Sequence, residues 1–205
     1  MAGRVVDNDM RWYYDKRAPE YDDWWFGRGL FAGRPRPGWS EEVDELISVV
    51  DALPTARTLD VACGTGLLTQ HLRGEVVGLD QSDAMLEVAR ARMPDAVLVQ
   101  GDAVPLRFDD SEFERVFTSH FYGHLLPEER ERFLQEARRV GGEVVVVDSA
   151  RREDVPPEEH QERVLNDGSR HTVYKRFFAP DELAAELGKG ATVLHSGRWF
   201  VAGAA

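Results

Sequence analysis

The sequence predicts an α/β fold, in which a mostly parallel sheet carries helices on both faces. Two observations lead to this. Short apolar runs recur from residue 58 onward, and stretches of about ten residues with helical spacing separate them. That alternation gives βαβ units, whose crossover helices bury both faces of the sheet. A chain of 205 residues suits one such domain, and 42% apolar residues supply its core and exclude a disordered chain.

Residues 1–39 stand apart as an N-terminal segment. They hold nine of the twenty aromatic residues, from Trp12 to Trp39, a concentration that marks a candidate lid or substrate segment. Residues 10–26 are expected to be helical, and residues 27–38, rich in Gly, Pro and Arg, to be a loop. Ser40 caps the next helix, with Glu41 and Glu42 at the positive end of its dipole. Its apolar positions Val43, Leu46, Ile47 and Val50 recur at helical spacing.

From there the chain alternates: strand 58–62, helix 67–72, strand 76–79, helix 82–93 stopped by Pro94, and strand 97–99. Strand 113–118, a helix opened by Pro127, and the strongly apolar strand 143–147 follow. Residues 150–170 are polar and carry no clear periodicity. A helix at 180–187 and two strand-like runs about Ser196-Gly197 close the chain as an antiparallel hairpin.

Composition narrows the function. A net charge of -12 opposes a partner held by phosphate neutralisation, so nucleic acid is disfavoured. The single cysteine, Cys63, allows no internal disulfide, and the longest aliphatic run, 144–147, is far too short to span a bilayer. The charged N-terminus lacks the apolar stretch of a signal peptide, so a cytoplasmic protein is expected.

The segment Thr58-Leu-Asp-Val-Ala-Cys-Gly-Thr-Gly-Leu-Leu-Thr69 reads as a strand, a Gly-x-Gly turn and a helix start. Gly64 and Gly66 permit torsions closed to other residues and let a ligand approach the backbone. Asp80 ends the second strand, fourteen residues after Gly66, where a carboxylate can accept ribose hydroxyls. Gly101-Asp102-Ala103 places another acid after the third strand, suited to an exocyclic amine such as that of adenine. Either acid alone could simply cap the element that follows. Together with the glycine turn they outline a nucleoside site. A dinucleotide fingerprint would need a third glycine, where Thr69 stands.

These residues resemble motif I and the following strand tips of class I S-adenosylmethionine (SAM)-dependent methyltransferases, in the small-molecule group that includes the ubiquinone/menaquinone type. The resemblance covers residues 10–150. It implies a Rossmann-like sheet of seven strands with the last antiparallel, with residues 40–205 as the SAM-binding domain and 150–178 as a substrate-pocket insertion. It implies that Gly64 and Gly66 lie beneath the methionine portion, with Asp60 facing its amino group. Asp80 would bind the ribose and Gln81 would lie beside the adenine. Asp102 and the Ala103 backbone would read the adenine edge, and Ser119 would offer its carbonyl to the amino group. Tyr21, within Tyr14-Asp-Lys-Arg-Ala-Pro-Glu-Tyr-Asp22, would close over the cofactor.

The expected acceptor is a small molecule. An RNA or protein methyltransferase of this fold and a non-catalytic SAM-binding module are the alternatives. His120, after the fourth strand, is the candidate general base, its ordinary pKa of about 6.5 lying near working pH. No Asn/Asp-Pro-Pro-Tyr/Phe motif follows that strand, Cys63 lies in the wrong loop for a cytosine nucleophile, and no metal-ligand cluster appears. Arg28, Arg34 and Arg36 are candidate holders of an anionic acceptor group, against the plainer reading of a solvated loop. His160, Asn166, Arg170, His171 and Tyr174 belong to a second candidate wall.

Overall fold

The computed structural model describes residues 8–205. The first residues of the N-terminal segment, including the charged start 1–7, therefore lie outside the described residues. The N-terminal segment opens with helix α1 (Asn8–Arg17), a single 3-10 turn at Ala18–Glu20 and the short helix α2 (Asp23–Phe26). The expected continuous helix over 10–26 is thus broken, since Pro19 lacks the N–H that would carry an α-helix through this point. Helix α3 (Trp39–Asp51) follows with Glu41 and Glu42 in its first turn, entered through Gly38 in the left-handed region in place of a Ser40 cap.

The core elements are β1 (Thr58–Val61), β2 (Val76–Asp80), α4 (Asp83–Arg92), β3 (Val97–Gln100), β4 (Phe113–Ser119), α5 (Pro127–Val140) and β5 (Gly141–Ser149). A hairpin β6 (Glu158–Val164) and β7 (Arg170–Arg176) follows, then α6 (Pro180–Leu187), β8 (Thr192–Ser196) and β9 (Phe200–Ala204). The main sheet has seven strands in the order β3-β2-β1-β4-β5-β9-β8. Strands β1 to β5 run parallel, while β9 lies antiparallel to both β5 and β8.

Strand β5 shows why both faces are covered. Val144 and Val146 pack with Phe133, Leu134 and Leu183 of α5 and α6. The alternate residues Val145 and Val147 pack with Leu46 and Val50 of α3 on the other face. Strand order reverses between β1 and β4, which opens a crevice beyond their carboxyl ends.

Two elements differ from the sequence expectation. The helix expected at 67–72 is a single 3-10 turn, Thr69–His71, because Leu72 already turns extended toward β2. A turn of that length offers no helix N-terminus to a ligand. The polar stretch after residue 150 contains the β6–β7 hairpin, whose strands pair only with each other, and the flanking residues Ala150 and Phe178 form one isolated bridge. Strand β6 alternates exposed with half-buried residues, and both sets are mainly polar, so no apolar periodicity announces it. Among the described residues no helix is long and apolar enough to cross a membrane.

Buried Glu42 ties α3 to the closing hairpin. Its carboxylate accepts the backbone N–H groups of Arg198, Trp199 and Phe200 at 2.7–3.0 Å. Removing it leaves three donors without a partner. Glu42→Ala is expected to lower unfolding free energy by about 3 kcal/mol, each such charged bond being worth roughly 1.5–3 kcal/mol without full additivity. Urea denaturation followed by circular dichroism measures this, and an unchanged midpoint would refute the tie.

Candidate active site

The crevice holds a cavity of about 290 Å³ lined by Tyr14, Tyr21, Gly64, Asp80, Gln81, Gly101, Ala103, Ser119, His120 and His124, among others. A smaller hollow beside it is lined by Asp60 and again by Tyr21 and Ser119. The strand tips of β1, β2, β3 and β4 thus converge here, as the sequence led one to expect.

At the tip of β1, Ala62 and Gly64 both adopt left-handed backbone, at φ 60° and 57°. This bends the chain back under the cavity, where a glycine leaves the floor open. Asp80 holds that bend. One carboxylate oxygen accepts the Gly64 N–H at 2.8 Å and the other accepts the Ser82 N–H at 2.9 Å. Burial pushes the Asp80 carboxyl up to about 6. The neighbouring Gln81 lines the cavity with its Oε1 buried and unpartnered.

Asp60 is almost wholly buried and accepts the Thr69 hydroxyl at 2.6 Å. Its other oxygen has no partner among the described residues, and burial pushes the carboxyl up to about 8. An orphaned acceptor in a hollow beside the cavity suits an incoming ammonium group. Orphaned Asp60 Oδ1 and Gln81 Oε1, with the open floor at Gly64, therefore fit the amino-acid and nucleoside ends of SAM.

Two expected residues sit elsewhere. Gly66 does not line the cavity: its backbone is left-handed at φ 76°, which glycine adopts without strain, and a Cβ there would also crowd the end of the Met93 side chain. Asp102 is exposed and lies outside the cavity lining, whereas its neighbours Gly101 and Ala103 line it. The loop after β3 therefore presents backbone and not carboxylate.

The N-terminal segment lies across the glycine loop. Asp22 accepts the Thr65 hydroxyl at 2.6 Å and pairs with Arg92 at 2.5 Å, while Asp15 accepts the Ser82 hydroxyl at 2.6 Å. These bonds set Tyr14 and Tyr21 on the cavity wall, and burial raises both phenols, Tyr21 to about 12. Of the aromatic residues here, Tyr13, Trp25 and Trp39 are core, while Trp12 and Phe26 are exposed. Arg28, Arg34 and Arg36 stack on Phe26, Phe31 and Trp39, and none of them lines the cavity. Arg28 and Arg34 are exposed, whereas Arg36 is half-buried and donates to the Trp24 carbonyl at 2.8 Å.

His120 lies at the tip of β4 with left-handed backbone, φ 54°. Trp24, Trp25 and Phe200 meet its ring edge-to-face at 5.0–5.5 Å. Its Nε2 is buried without a partner among the described residues. Burial, joined by the charges of Lys175 and Arg163, lowers its pKa to about 3 against the pull of Asp148. The imidazole is therefore neutral at working pH but a far weaker base than its ordinary value suggested.

The hairpin supplies residues that sequence reasoning did not single out. Lys175 forms a buried ion pair with Asp148 of β5, which also accepts the N–H groups of Gly123 and Ser149 at 2.7 Å. Burial opposes ionisation of Asp148, but Lys175 and the imidazoles outweigh it and hold the carboxyl below its usual range. The signal available was period-two spacing of Arg163 and Gln161, and of Val173 and Lys175, within a polar run. His124 meets the Tyr174 carbonyl at 2.7 Å, whereas His160 and Arg170 face outward.

Residues 59–146 match the family described as a methyltransferase domain. The chain is 34% identical over 145 residues to a demethylmenaquinone methyltransferase of Thermotoga maritima, covering 68% of this chain and 59% of that protein. It is 38% identical over 95 residues to a dTDP-3-amino-3,4,6-trideoxy-alpha-D-glucopyranose N,N-dimethyltransferase of Streptomyces venezuelae, covering 44% and 37%. Among solved structures, a DhpI–SAM–HEP complex superposes with TM-score 0.75 at 26% identity, covering 100% of this chain and 99% of that one. The chain belongs to the class I SAM-dependent methyltransferases. It spans less than two thirds of the length of the curated relatives named here.

The environment of His120 gives a direct expectation. In an NMR titration its imidazole stays neutral down to about pH 4. A midpoint near 6.5 would show that the surrounding rings and charges do not act on it as described.

Proposed function

We propose that the protein transfers a methyl group from SAM to a small-molecule acceptor. The observation that carries this is one cavity shared by the β1 and β2 tips and by Tyr14, His120 and His124. Gly64, Asp80 and Gln81 form its nucleoside side, and the tyrosine and imidazole groups form the other. The relatives' printed names, a demethylmenaquinone and a dTDP-amino-sugar methyltransferase, support a small acceptor.

When bound, SAM supplies a methyl group activated on a sulfonium sulfur. Asp80 would accept ribose hydroxyls with the lone pairs left beside Gly64 and Ser82. The unpartnered Asp60 oxygen and the Ser119 carbonyl would receive the amino group. Gln81 and the Ala103 backbone would meet the adenine, and Tyr21 would close over the loop at Gly64. The remaining task is to align acceptor and methyl carbon, which is worth about 7–11 kcal/mol in favourable cases. Residues 1–39 act as the lid in this reading, and residues 150–178 as the acceptor wall.

His120 remains the base candidate by position alone. With its lowered pKa it suits an acceptor that arrives without a proton to lose.

Isothermal titration tests the cofactor reading. SAM should bind and NAD should not, and Asp80→Ala should weaken SAM by about 1–3 kcal/mol. Equal SAM affinity in a folded variant would remove Asp80 from the site. In the wild type the ribose role of Asp80 requires its ionised form, which is lost as pH falls through about 6. Affinity should fall toward about tenfold per pH unit below that value. A flat profile between pH 7.5 and 5 would overturn this assignment.

A further inference from the structure

Behind the tyrosines and imidazoles of the cavity lies a group of cations with too few carboxylates. Arg17, at the end of α1, is 7% exposed. Its guanidinium donates to the Tyr13 hydroxyl and stacks on the ring of Tyr21, 4.9 Å from its centroid. Arg163 lies on the inward face of β6 and donates to Gln161 Oε1, whose amide in turn reaches Glu159. Neither arginine has a carboxylate within ion-pairing distance among the described residues. The third cation, Lys175, is already committed to Asp148.

Burying a guanidinium without a counter-charge is costly, and proteins relieve the cost by pairing it. Here burial and the nearby Arg17 charge lower the pKa of Arg163, the opposite of what a paired arginine shows. His120 adds a second, independent sign. It lines the cavity and is 8% exposed, and its Nε2 has no hydrogen-bond partner among the described residues. The cavity therefore has positive charge behind one side of its wall and an unused polar atom on it, while the carboxylates that line it, Asp80 and Glu129, already accept backbone N–H groups.

We propose that the methyl acceptor is a small oxyanion, a carboxylate or a phosphorus oxyacid, held on the hairpin side of the cavity by the charges of Arg163 and Arg17. This rests on the acceptor sharing the cavity with SAM. It also explains the weak base at His120. An acceptor that binds as an anion needs charge to hold it more than it needs a base.

The test uses the full chain saturated with S-adenosylhomocysteine, at low salt so that charge is not screened. Inorganic phosphate and acetate are titrated in separately, with neutral acetamide as control. One of the two anions should bind saturably and acetamide should not; the anion preferred tells a phosphorus oxyacid from a carboxylate. Arg163→Gln should weaken that binding by about tenfold or more, as expected for a lost charged hydrogen bond, and Arg163→Lys should restore part of it. S-adenosylhomocysteine affinity should be unchanged in both. Arg163→Met, an apolar replacement of similar length, serves if the glutamine variant does not fold. Binding of neither anion to the wild type, or equal binding to the wild type and the charge-removed variant, overturns the proposal. Failure of S-adenosylhomocysteine to bind would instead overturn the cofactor reading, and the same anions titrated into the cofactor-free protein would then decide this one.

Discussion

Everything at the carboxyl edge of the sheet hangs on the Asp80 carboxylate. It is buried at the tip of β2 and divides its two oxygens between the glycine loop after β1 and the start of α4. Ser82, bound by one of those oxygens, caps α4 through its hydroxyl oxygen and donates the same hydroxyl to Asp15 of the N-terminal segment. One side chain thus fixes a loop, a helix start and, through Ser82, the position of α1. Holding a charge there is unfavourable, as its raised pKa records. A carboxylate kept in such a place with acceptor capacity to spare is poised for hydroxyl donors.

The sheet was legible because parallel strands must be apolar on both faces, and runs such as Val144–Val147 have no other use in a chain of this size. Asp80 and Gly64 were legible for a similar reason: backbone bends at strand tips demand particular residues at particular places. Gly66 misleads because two physical causes select the same residue. A glycine that admits a ligand and a glycine that permits a left-handed turn look identical in sequence. Asp102 misleads through proximity: its neighbours reach the cavity while its own side chain turns to solvent.

The side proposed for the acceptor was largely hidden. Arg163 and Lys175 lie in a hairpin whose alternation is of charge against charge, with no apolar stripe to mark the inward face. Their significance comes from Asp148 and Arg17, which are far away in the chain. The low basicity of His120 was hidden for the same reason. A histidine after a strand suggests an ordinary imidazole until three aromatic rings from α2 and β9 enclose it.

The β6–β7 hairpin shares no hydrogen-bond ladder with the seven-stranded sheet. Arg163 and Gln161 on its inward face are therefore not tied to the strand tips that surround Asp80, whereas Lys175 is paired with Asp148 of β5. Exchanging Arg163 or Gln161 alters the charge met by an acceptor and leaves the glycine loop where it was. Under the proposed reading, selectivity for one partner and grip on the other would be written in separable stretches of chain, and a new acceptor would need changes in a single hairpin.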